Sequence, residues 1–520
     1  MEMRKLSRFH LFDWILLVIL GALFVCICYV NLQHYPTFYN FDLYSDILYA
    51  TEVWEHRSVF PEGWVFGNQL YVAATPVLAA VFYGITSDAL SAMGLASTVM
   101  ALLVIASFYW MLIPCFSDAA PRLFACIVLI LLPLCCGDAI FLINGWQLLF
   151  TMCSYYACYA ITIFWAFGLY IRAWNQDKVQ NWISLMLLCC FSLFMGMQSI
   201  RQTVIMVLPL AAMECIRFLV SFRKNRKFIT ASFLIAAFVT VSNLAGVVII
   251  RFLSVDASSI LGEFKLTAPS VDGLADMFHT IGLLFSPDKR EPSLTLIHAL
   301  VLTIAGYLFV KKKTQSGAVL IWLILFSIGV VGGIDLLSNL NVRQRYYFMA
   351  FPLVAYLAAY YLTIRHKIGS IVTRLLLIVI LVLTTTNGWN EKIVSEIDNL
   401  NMQIENSYAE VSDYVLSEGY QTLFAGTDLG HKIAVASDLD LEVGFWFMNE
   451  PFSEVTYLCN PSVFHVEPEH CVYAFRGSSR VEAAQEMLDE YGLQMELLKH
   501  FPESDIYVFT SKELLIELIE

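Results

Sequence analysis

The chain has 520 residues and a mean hydropathy of +0.67, with 58% apolar and only 14% charged residues. A soluble core does not need so much uninterrupted apolar length, so the composition excludes a soluble globular protein and indicates an integral membrane protein. The formal net charge of −13 argues against a nucleic-acid partner.

The first apolar run follows the basic segment MRKLSR and is not followed by a small-residue cleavage site. This pattern predicts a retained signal anchor. Apolar windows of about 17–22 residues recur along the chain and predict eleven spans. These are 11–30, 90–113, 122–137, 153–172, 182–197, 202–220, 229–250, 293–310, 316–334, 346–364 and 374–388.

Two segments leave the number of spans open. Residues 70–85 are apolar enough to cross, but Pro76 and the flanking Gly67 and Gly84 favour a juxtamembrane helix in the outer interface. A count of thirteen, with 138–150 as a short extra helix, also leaves the C-terminus outside.

Basic residues fall in alternate loops, which orients the chain. The positive-inside rule then places the N-terminus in the cytoplasm, and the loop after the first span and everything after Asn387 outside. We expect two domains: a membrane domain, 1–387, with an outer catalytic loop at 31–88, and an extracytoplasmic domain, 388–520.

The predicted outer domain is acidic, with 25 acidic and 6 basic residues from Gly388 onward. Its strand-like and helix-periodic segments alternate, which predicts a small α/β fold. Cys459 and Cys471 are its only cysteines. They would form a disulfide in an oxidising compartment or remain two buried thiols.

Three carboxylates lie on the predicted outer side. Asp42 and Asp46 are one helical turn apart, and a carboxylate there can accept a proton from a hydroxyl or bind a divalent cation. Asp42 is also placed to cap that helix. Asp138 follows the third span among apolar neighbours.

Three arginines also lie on that side. Arg201 sits in GMQSIRQTV between two spans, and Arg343 and Arg345 precede another in NVRQRYYF. Guanidinium groups fork onto phosphate oxygens, so these residues are candidate ligands of a lipid phosphate. Interfacial anchoring is the structural alternative.

The chain resembles the GT-C superfamily of membrane glycosyltransferases, which use polyprenyl-phosphate-linked sugars. The resemblance rests on SDILYATEV with Asp46, on FPEGWVFGNQLYVAATP and on MGMQSIRQTV, and it is closest to Firmicutes GT-C-like proteins. It implies an α-helical polytopic fold with a C-terminal α/β domain, in the bacterial cytoplasmic membrane. The missing Asp-Glu pair after the first span and the missing oligosaccharyltransferase motif argue against N-glycosylation of protein.

The resemblance also implies roles for residues. Asp46 would be the general base of an inverting transfer from undecaprenyl phosphate, with Asp42 and Asp138 as further catalytic candidates. The arginines would bind the donor phosphate. The candidate sugar or acceptor contacts are Trp54, Trp64, Gln69 and Tyr346.

Several points stay open at this stage. The acceptor is a glycan, a lipid or a protein, and a divalent cation (Mg or Mn) is neither required nor excluded. A transporter or flippase is the main alternative, although we find no repeat and no buried charge in the middle of a span. An inactive scaffold for envelope assembly would have the same fold.

Overall fold

The structure is a computed structural model of the chain. The residues that it describes are 11–34, 41–67, 70, 72–135, 145–151, 155–175, 178–179, 181–225, 231–252, 267–285, 315–338, 344–362, 385–386, 388–398, 402–437, 440–447 and 450–516.

The described chain is mostly helical up to residue 398 and mixed α/β beyond it. The helices of the first part are α1 (Leu11–Gln33), α2 (Phe41–His56), α3 (Thr75–Thr86), α4 (Ala89–Leu112), α5 (Ala119–Cys135), α6 (Gly145–Phe150), α7 (Tyr155–Ala173), α8 (Trp182–Gln198), α9 (Ile200–Asn225), α10 (Ala231–Ile250), α11 (Val271–Phe285), α12 (Gln315–Leu337) and α13 (Ala350–Leu362). A two-residue hairpin, β1 (Trp174–Asn175) with β2 (Lys178–Val179), connects α7 to α8.

Helices lie at nine of the eleven predicted spans. Six of them are long and apolar enough to cross a membrane, and α5, α8 and α13 are shorter apolar helices. The other two predicted spans, 293–310 and nearly all of 374–388, lie outside the described residues. The protein is therefore a multi-pass membrane protein, and the exact number of spans stays a prediction.

Close helix packing in the membrane part depends on glycine. A Cβ at Gly196 of α8 would overlap the backbone carbonyl of Asn243, and one at Gly246 of α10 would overlap that of Leu193. Small residues allow helix backbones to approach closely within a bilayer. The Asn243 side chain then bridges the helices, since it donates to Ser192 O at 2.8 Å.

The chain divides into two compact units. One contains Met1–Gln33, Ser97–Leu253 and Leu261–Glu396, and the other contains His34–Ala96, Ser254–Ile260 and Ile397–Glu520. The domains 1–387 and 388–520 stay a prediction, and the last segment of the second unit begins at Ile397. The outer loop, expected with the membrane domain, groups instead with the tail.

The tail is the small α/β domain that the alternating pattern predicts. Its elements are α14 (Met402–Ser417), β3 (Thr422–Gly426), α15 (Thr427–Ala436), β4 (Glu442–Phe447), β5 (Glu450–Glu454), β6 (Cys471–Arg476), α16 (Ser478–Tyr491), β7 (Glu496–Phe501) and β8 (Ile506–Thr510). The sheet order is β5-β4-β3-β6-β8-β7, with β4, β3 and β6 parallel and the other pairs antiparallel.

Candidate active site

The acidic helix α2 begins soon after α1 and carries both predicted outer carboxylates. Asp42 lies in its first turn, where the helix dipole favours a negative charge. The helix ends where Arg57 adopts a left-handed conformation (φ 53°), and the amide of Ser58 donates back to Val53 O at 3.3 Å. Asp42 and Asp46 therefore lie on one face of a short, well-terminated helix.

Asp46 is buried, with 2% of its surface exposed. Its neighbours on the helix include Tyr49, which is fully buried and donates its hydroxyl to Val59 O at 2.7 Å. Burial, and next the charge of Asp46, raise the pKa of Tyr49 well above its ordinary value. A buried carboxylate is costly unless it has a partner or a chemical task, so Asp46 is more than a solvated surface charge.

The tail domain supplies neighbours to this helix. Helix α15 packs directly on α2. Lys432 of α15 lies with its ammonium 5.7 Å from the ring centre of Tyr44. Burial, and next the charge of Asp42, raise the pKa of Tyr457. The sequence analysis missed Lys432 and Tyr457, because no local pattern indicates that the tail packs on the first outer loop.

A further acidic residue of α2 was also missed. Glu52 is partly buried, and burial is the main reason that its pKa is raised. His56 opposes that shift, with its Nδ1 3.3 Å from Glu52 Oε2. With Glu55, the same helix thus carries four carboxylates, two of them on its last two turns.

Trp54, a predicted sugar contact, is engaged within the protein. The Arg57 guanidinium lies 3.5 Å from the centre of its ring system, and a Cβ at Gly84 of α3 would overlap its indole. This contact holds α3 against α2. In this structure Trp54 therefore packs against α3.

Trp64 is 5% exposed and belongs to an aromatic cluster. Its ring centre lies 5.6 Å from that of Tyr49, which in turn lies 5.4 Å from that of Phe66. Its Nε1–H finds no hydrogen-bond acceptor in the described part of the chain. Trp64 therefore lines the side of α2 near Asp46 and has an unused donor.

The basic candidate Arg201 belongs to the other compact unit, in the first turn of α9. Ser199 separates α8 from α9 in an extended conformation, and its Oγ accepts from the Arg201 amide at 3.1 Å. Beside it, Gln202 is fully buried, and neither end of its amide has a partner within the described residues. A helix N-terminus, a guanidinium and a free amide together can bind a phosphate.

A buried charge lies in the predicted span 202–220, towards its C-terminal end. Glu214 of α9 is 2% exposed and accepts hydrogen bonds from Tyr170 OH and from Arg217 Nη1, the latter at 3.0 Å. Arg217, three residues further along α9, neutralises the charge of Glu214. The sequence analysis did not single out Glu214, because it lies close to the charged segment that follows this span.

The remaining site candidates are only partly placed. Tyr346 is partly buried in a 3₁₀ turn (Gln344–Tyr347), with its ring centre 6.1 Å from that of Tyr156. Arg345 belongs to the same turn, but its side chain lies outside the described part. Residues that lie outside it altogether are Asp138, Gln69 and Arg343.

The structure corrects the disulfide alternative, because both thiols are free. Cys459 Sγ donates to Val455 O at 3.2 Å, and Cys471 Sγ donates to Pro468 O at 3.5 Å. Burial raises the pKa of Cys459 to about 12, and it also raises that of Cys471. In this structure Cys459 and Cys471 are therefore two buried thiols, which is the second alternative that the sequence allows.

A metal ion needs several ligand side chains placed close together. In the part of the chain that the structure describes, no group of three or more His, Cys, Asp or Glu side chains is placed to hold an ion.

Comparison with known proteins identifies the fold. No protein-family model and no curated protein matches the chain. A solved structure, ArnT from Cupriavidus metallidurans bound to undecaprenyl phosphate, is similar with a TM-score of 0.54, over 96% of this chain and 98% of that chain. The chain has an ArnT-like GT-C fold. The sequence identity is 10%, so the likeness carries the fold and not the roles of individual residues.

Proposed function

We propose that the protein transfers a sugar from a polyprenyl-phosphate donor to a hydroxyl of a cell-envelope acceptor, by inversion. The acceptor oxygen attacks the anomeric carbon as the bond from that carbon to the phosphate oxygen breaks. The polyprenyl phosphate leaves with the electron pair, and the hydroxyl proton passes to a carboxylate. The overall step is a single displacement that needs no redox partner.

Asp46 is the proposed base. Its helix follows the first apolar helix, so a lipid-linked donor and an acceptor from outside can both reach this level of the membrane. A carboxylate that gains a proton in the transition state contributes typically about 10²–10⁴-fold to the rate. Asp42, one turn earlier and nearer Tyr457, is the second candidate.

Arg201 and Gln202 are the proposed ligands of the donor phosphate. Charge builds on the phosphate as the sugar leaves, and donors positioned beforehand stabilise that charge. The first turn of α9 offers a guanidinium, an unpartnered buried amide and the positive end of a 26-residue helix. Arg343 and Arg345 remain further candidates for this role.

The observation that carries the proposal is the similarity of nearly the whole chain to a GT-C structure bound to undecaprenyl phosphate. A shared fold does not by itself give a shared function, so the function depends on the residues of the site. Burial of Asp46 within α2 adds an independent reason, since a buried carboxylate is costly unless it has a partner or a chemical task.

We further propose that both the reaction and the tail lie on the outer face of a bacterial cytoplasmic membrane, with the N-terminus inside. The basic loops support this orientation. An alkaline phosphatase fused after Glu520 should be active, and a cytoplasmic reporter at the same point inactive. The opposite result refutes the topology.

Donor binding can be tested without knowing the sugar. We expect undecaprenyl phosphate to raise the melting temperature of the purified full-length protein in nanodiscs, since a ligand of the native state stabilises by RT ln(1 + [L]/Kd). Undecaprenol, which lacks the phosphate, is the matched control. Equal stabilisation by both lipids would show that the phosphate is not recognised.

Activity separates this proposal from a flippase and from an inactive scaffold. Radiolabelled sugars on undecaprenyl phosphate, incubated with envelope fractions, should give a labelled product that depends on the protein. Movement of the lipid across vesicles without transfer would favour the flippase. Binding with neither transfer nor movement would favour the scaffold.

A further inference from the structure

The tail domain has a topological switch point. Strand β3 lies between β4 and β6, and all three are parallel. The chain leaves β3 through α15 toward β4, whereas it leaves β6 through α16 toward β8 and β7 on the other side. In open α/β sheets, ligands bind outside the carboxyl ends of the strands at such a point.

A cavity of about 200 Å³ lies at that edge. It is lined by the last residues of the parallel strands, Gly426 of β3, Trp446 of β4 and Arg476 of β6, and by Ser479 and Arg480 in the first turn of α16. Its volume is below that of sites for drug-sized ligands, about 300–1,000 Å³, and matches a single small ring.

Both arginines of the tail line this one cavity. From Gly388 onward the sequence contains only Arg476 and Arg480, among 25 acidic residues. Arg476 Nη1 donates to Tyr408 OH at 3.3 Å, and Arg480 Nη1 pairs with Asp428 Oδ2 at 3.2 Å. Each guanidinium has five N–H donors, so most of them remain available in the described structure.

The rest of the lining suits a sugar with an anionic group. Trp446 and Phe475 form the floor of the cavity, with ring centres 5.2 Å apart, and are only 2% and 3% exposed. Gly477 caps α16 at a φ of 91° that favours glycine, and the amide of Arg480 donates to Gly477 O at 3.2 Å. Paired arginines bind phosphate or carboxylate, and a cavity of this volume has room for one ring beside that group.

We propose that this cavity is a second ligand site, which binds one sugar unit that carries a phosphate or a carboxylate. The site lies within the tail domain, and Arg476 and Arg480 recognise the charge of the ligand, whose ring lies above the apolar floor of the cavity. Because the domain is otherwise strongly acidic, nonspecific anion adsorption is disfavoured, and anion binding can be attributed to these two residues. The inference does not depend on the transferase activity.

Calorimetric titration of the full-length protein in detergent tests the site. Glucose 6-phosphate and glucuronate should bind saturably, and glucose should bind at least tenfold more weakly. Arg476→Gln and Arg480→Gln should each weaken binding of the anionic sugars by tenfold or more. Lys499→Gln removes one positive charge elsewhere in the same domain and is the matched control, with binding expected unchanged.

A second variant separates binding from folding, because Arg480 also joins two helices. Ala483 lines the cavity from an exposed helical position, so Ala483→Phe should fill the cavity while the melting temperature stays within about 2 °C. It should abolish binding with both arginines intact. Full binding by Ala483→Phe, equal loss in Lys499→Gln, or no saturable binding by the wild-type protein would each overturn the proposal.

A free sugar phosphate and a unit of an anionic glycan would present the same chemistry. A tetrasaccharide that contains glucuronate distinguishes them within the same titration. Binding of the tetrasaccharide as tight as that of glucuronate indicates a glycan, and binding of the monosaccharides alone indicates a free ligand.

Discussion

Val65 and Cys459 form an antiparallel backbone bridge between the first outer loop and the tail. The amide of Val65 donates to Cys459 O at 3.0 Å, and the amide of Leu458 donates to Val65 O at 2.7 Å. Nearly four hundred residues separate the two partners in sequence. The helix that carries Asp46 is therefore part of one compact unit with the α/β tail, so its geometry depends on the tail being folded.

Replacing Asp46 by Asn tests the proposed base. Asn keeps the size of the side chain and some of its hydrogen bonding but cannot take a proton. We expect the transfer rate to fall by about 10²–10⁴-fold while the melting temperature and undecaprenyl phosphate binding stay close to those of the wild type. Transfer and melting should be measured on the same purified variant.

Two controls accompany that prediction. Asp440→Asn removes an exposed carboxylate of the same unit and should leave the rate unchanged. Asp42→Asn tests the other candidate on α2. If Asp46→Asn transfers sugar at a near wild-type rate and Asp42→Asn does not, the base is Asp42; a matching loss of stability and activity would indicate a structural role.

Gln202 should show opposite effects on stability and on activity. A buried amide with neither end hydrogen-bonded costs about 1–3 kcal/mol, so Gln202→Leu should stabilise the protein by an amount of that order. If the amide binds the donor phosphate, the same variant should bind undecaprenyl phosphate about tenfold more weakly. Melting and lipid titration in nanodiscs measure both effects.

The matched control is Asn243→Leu. That amide is equally buried in the same unit, but it donates to Ser192 O and accepts from Thr203 Oγ1 at 2.6 Å. Its loss should destabilise the protein. A destabilised Gln202→Leu would mean that its amide has a structural partner, and unchanged lipid binding would remove it from the donor site.

The contact between Trp54 and Gly84 predicts a size limit where α2 packs on α3. Gly84→Ala places a methyl group in the Trp54 indole, and such overpacking typically costs about 1–3 kcal/mol. Trp54→Leu in the Gly84→Ala background should recover part of that cost. A double-mutant cycle by thermal melting measures the coupling, and a coupling energy near zero would contradict the contact.

The elements that could be predicted from the sequence are those with a local pattern. Apolar length placed α1, α4 and α9, and alternation placed β3, β6 and the closing β7–β8 pair. It missed β5, whose segment EPFSE has no apolar alternation. It also missed Lys432 over Tyr44, because that contact joins elements far apart in sequence. Periodicity predicts that α2 is a helix, but not that residues 43–51 are all buried or which element covers them. The same limit concealed the cavity at the β3–β6 switch point.

The free thiols of Cys459 and Cys471 predict insensitivity to reduction. A disulfide would contribute typically about 2–4 kcal/mol, so its absence means that dithiothreitol leaves the melting temperature unchanged. Because burial raises the pKa of Cys459 to about 12, little thiolate forms near neutral pH. Iodoacetamide should therefore modify it only after denaturation, as followed by peptide mass spectrometry. A linked peptide under non-reducing conditions would contradict the structure.

The final prediction concerns His431, which is buried in α15 against Phe445. Its ring stacks on that of Phe445 with centres 3.9 Å apart, and its Nδ1–H donates to Thr427 O at 2.6 Å. Its Nε2 is buried with no partner in the described structure. Burial, which disfavours the charged ring, lowers the pKa of His431 from 6.5 to about 4, against the raising effects of Thr427 and Asp428.

The sign of the pH effect follows from that shift. The unfolded chain binds a proton at His431 as the pH falls below 6.5, whereas the folded chain does so only near 4. The contribution of His431 to stability is therefore complete above about pH 7. It is lost as the pH falls from 6.5 to 4, and stability does not change further through His431 below pH 4. One pKa unit corresponds to 1.36 kcal/mol, so the loss is on the order of 3 kcal/mol.

His431→Gln should flatten the dependence of the unfolding free energy on pH across this window, whereas His470→Gln, at an exposed position of the same domain, should not. Chemical denaturation of the full-length protein in detergent at a series of pH values gives both slopes. Equal slopes for the wild type and His431→Gln would mean that the ring reaches water and that α15 does not bury it against Phe445.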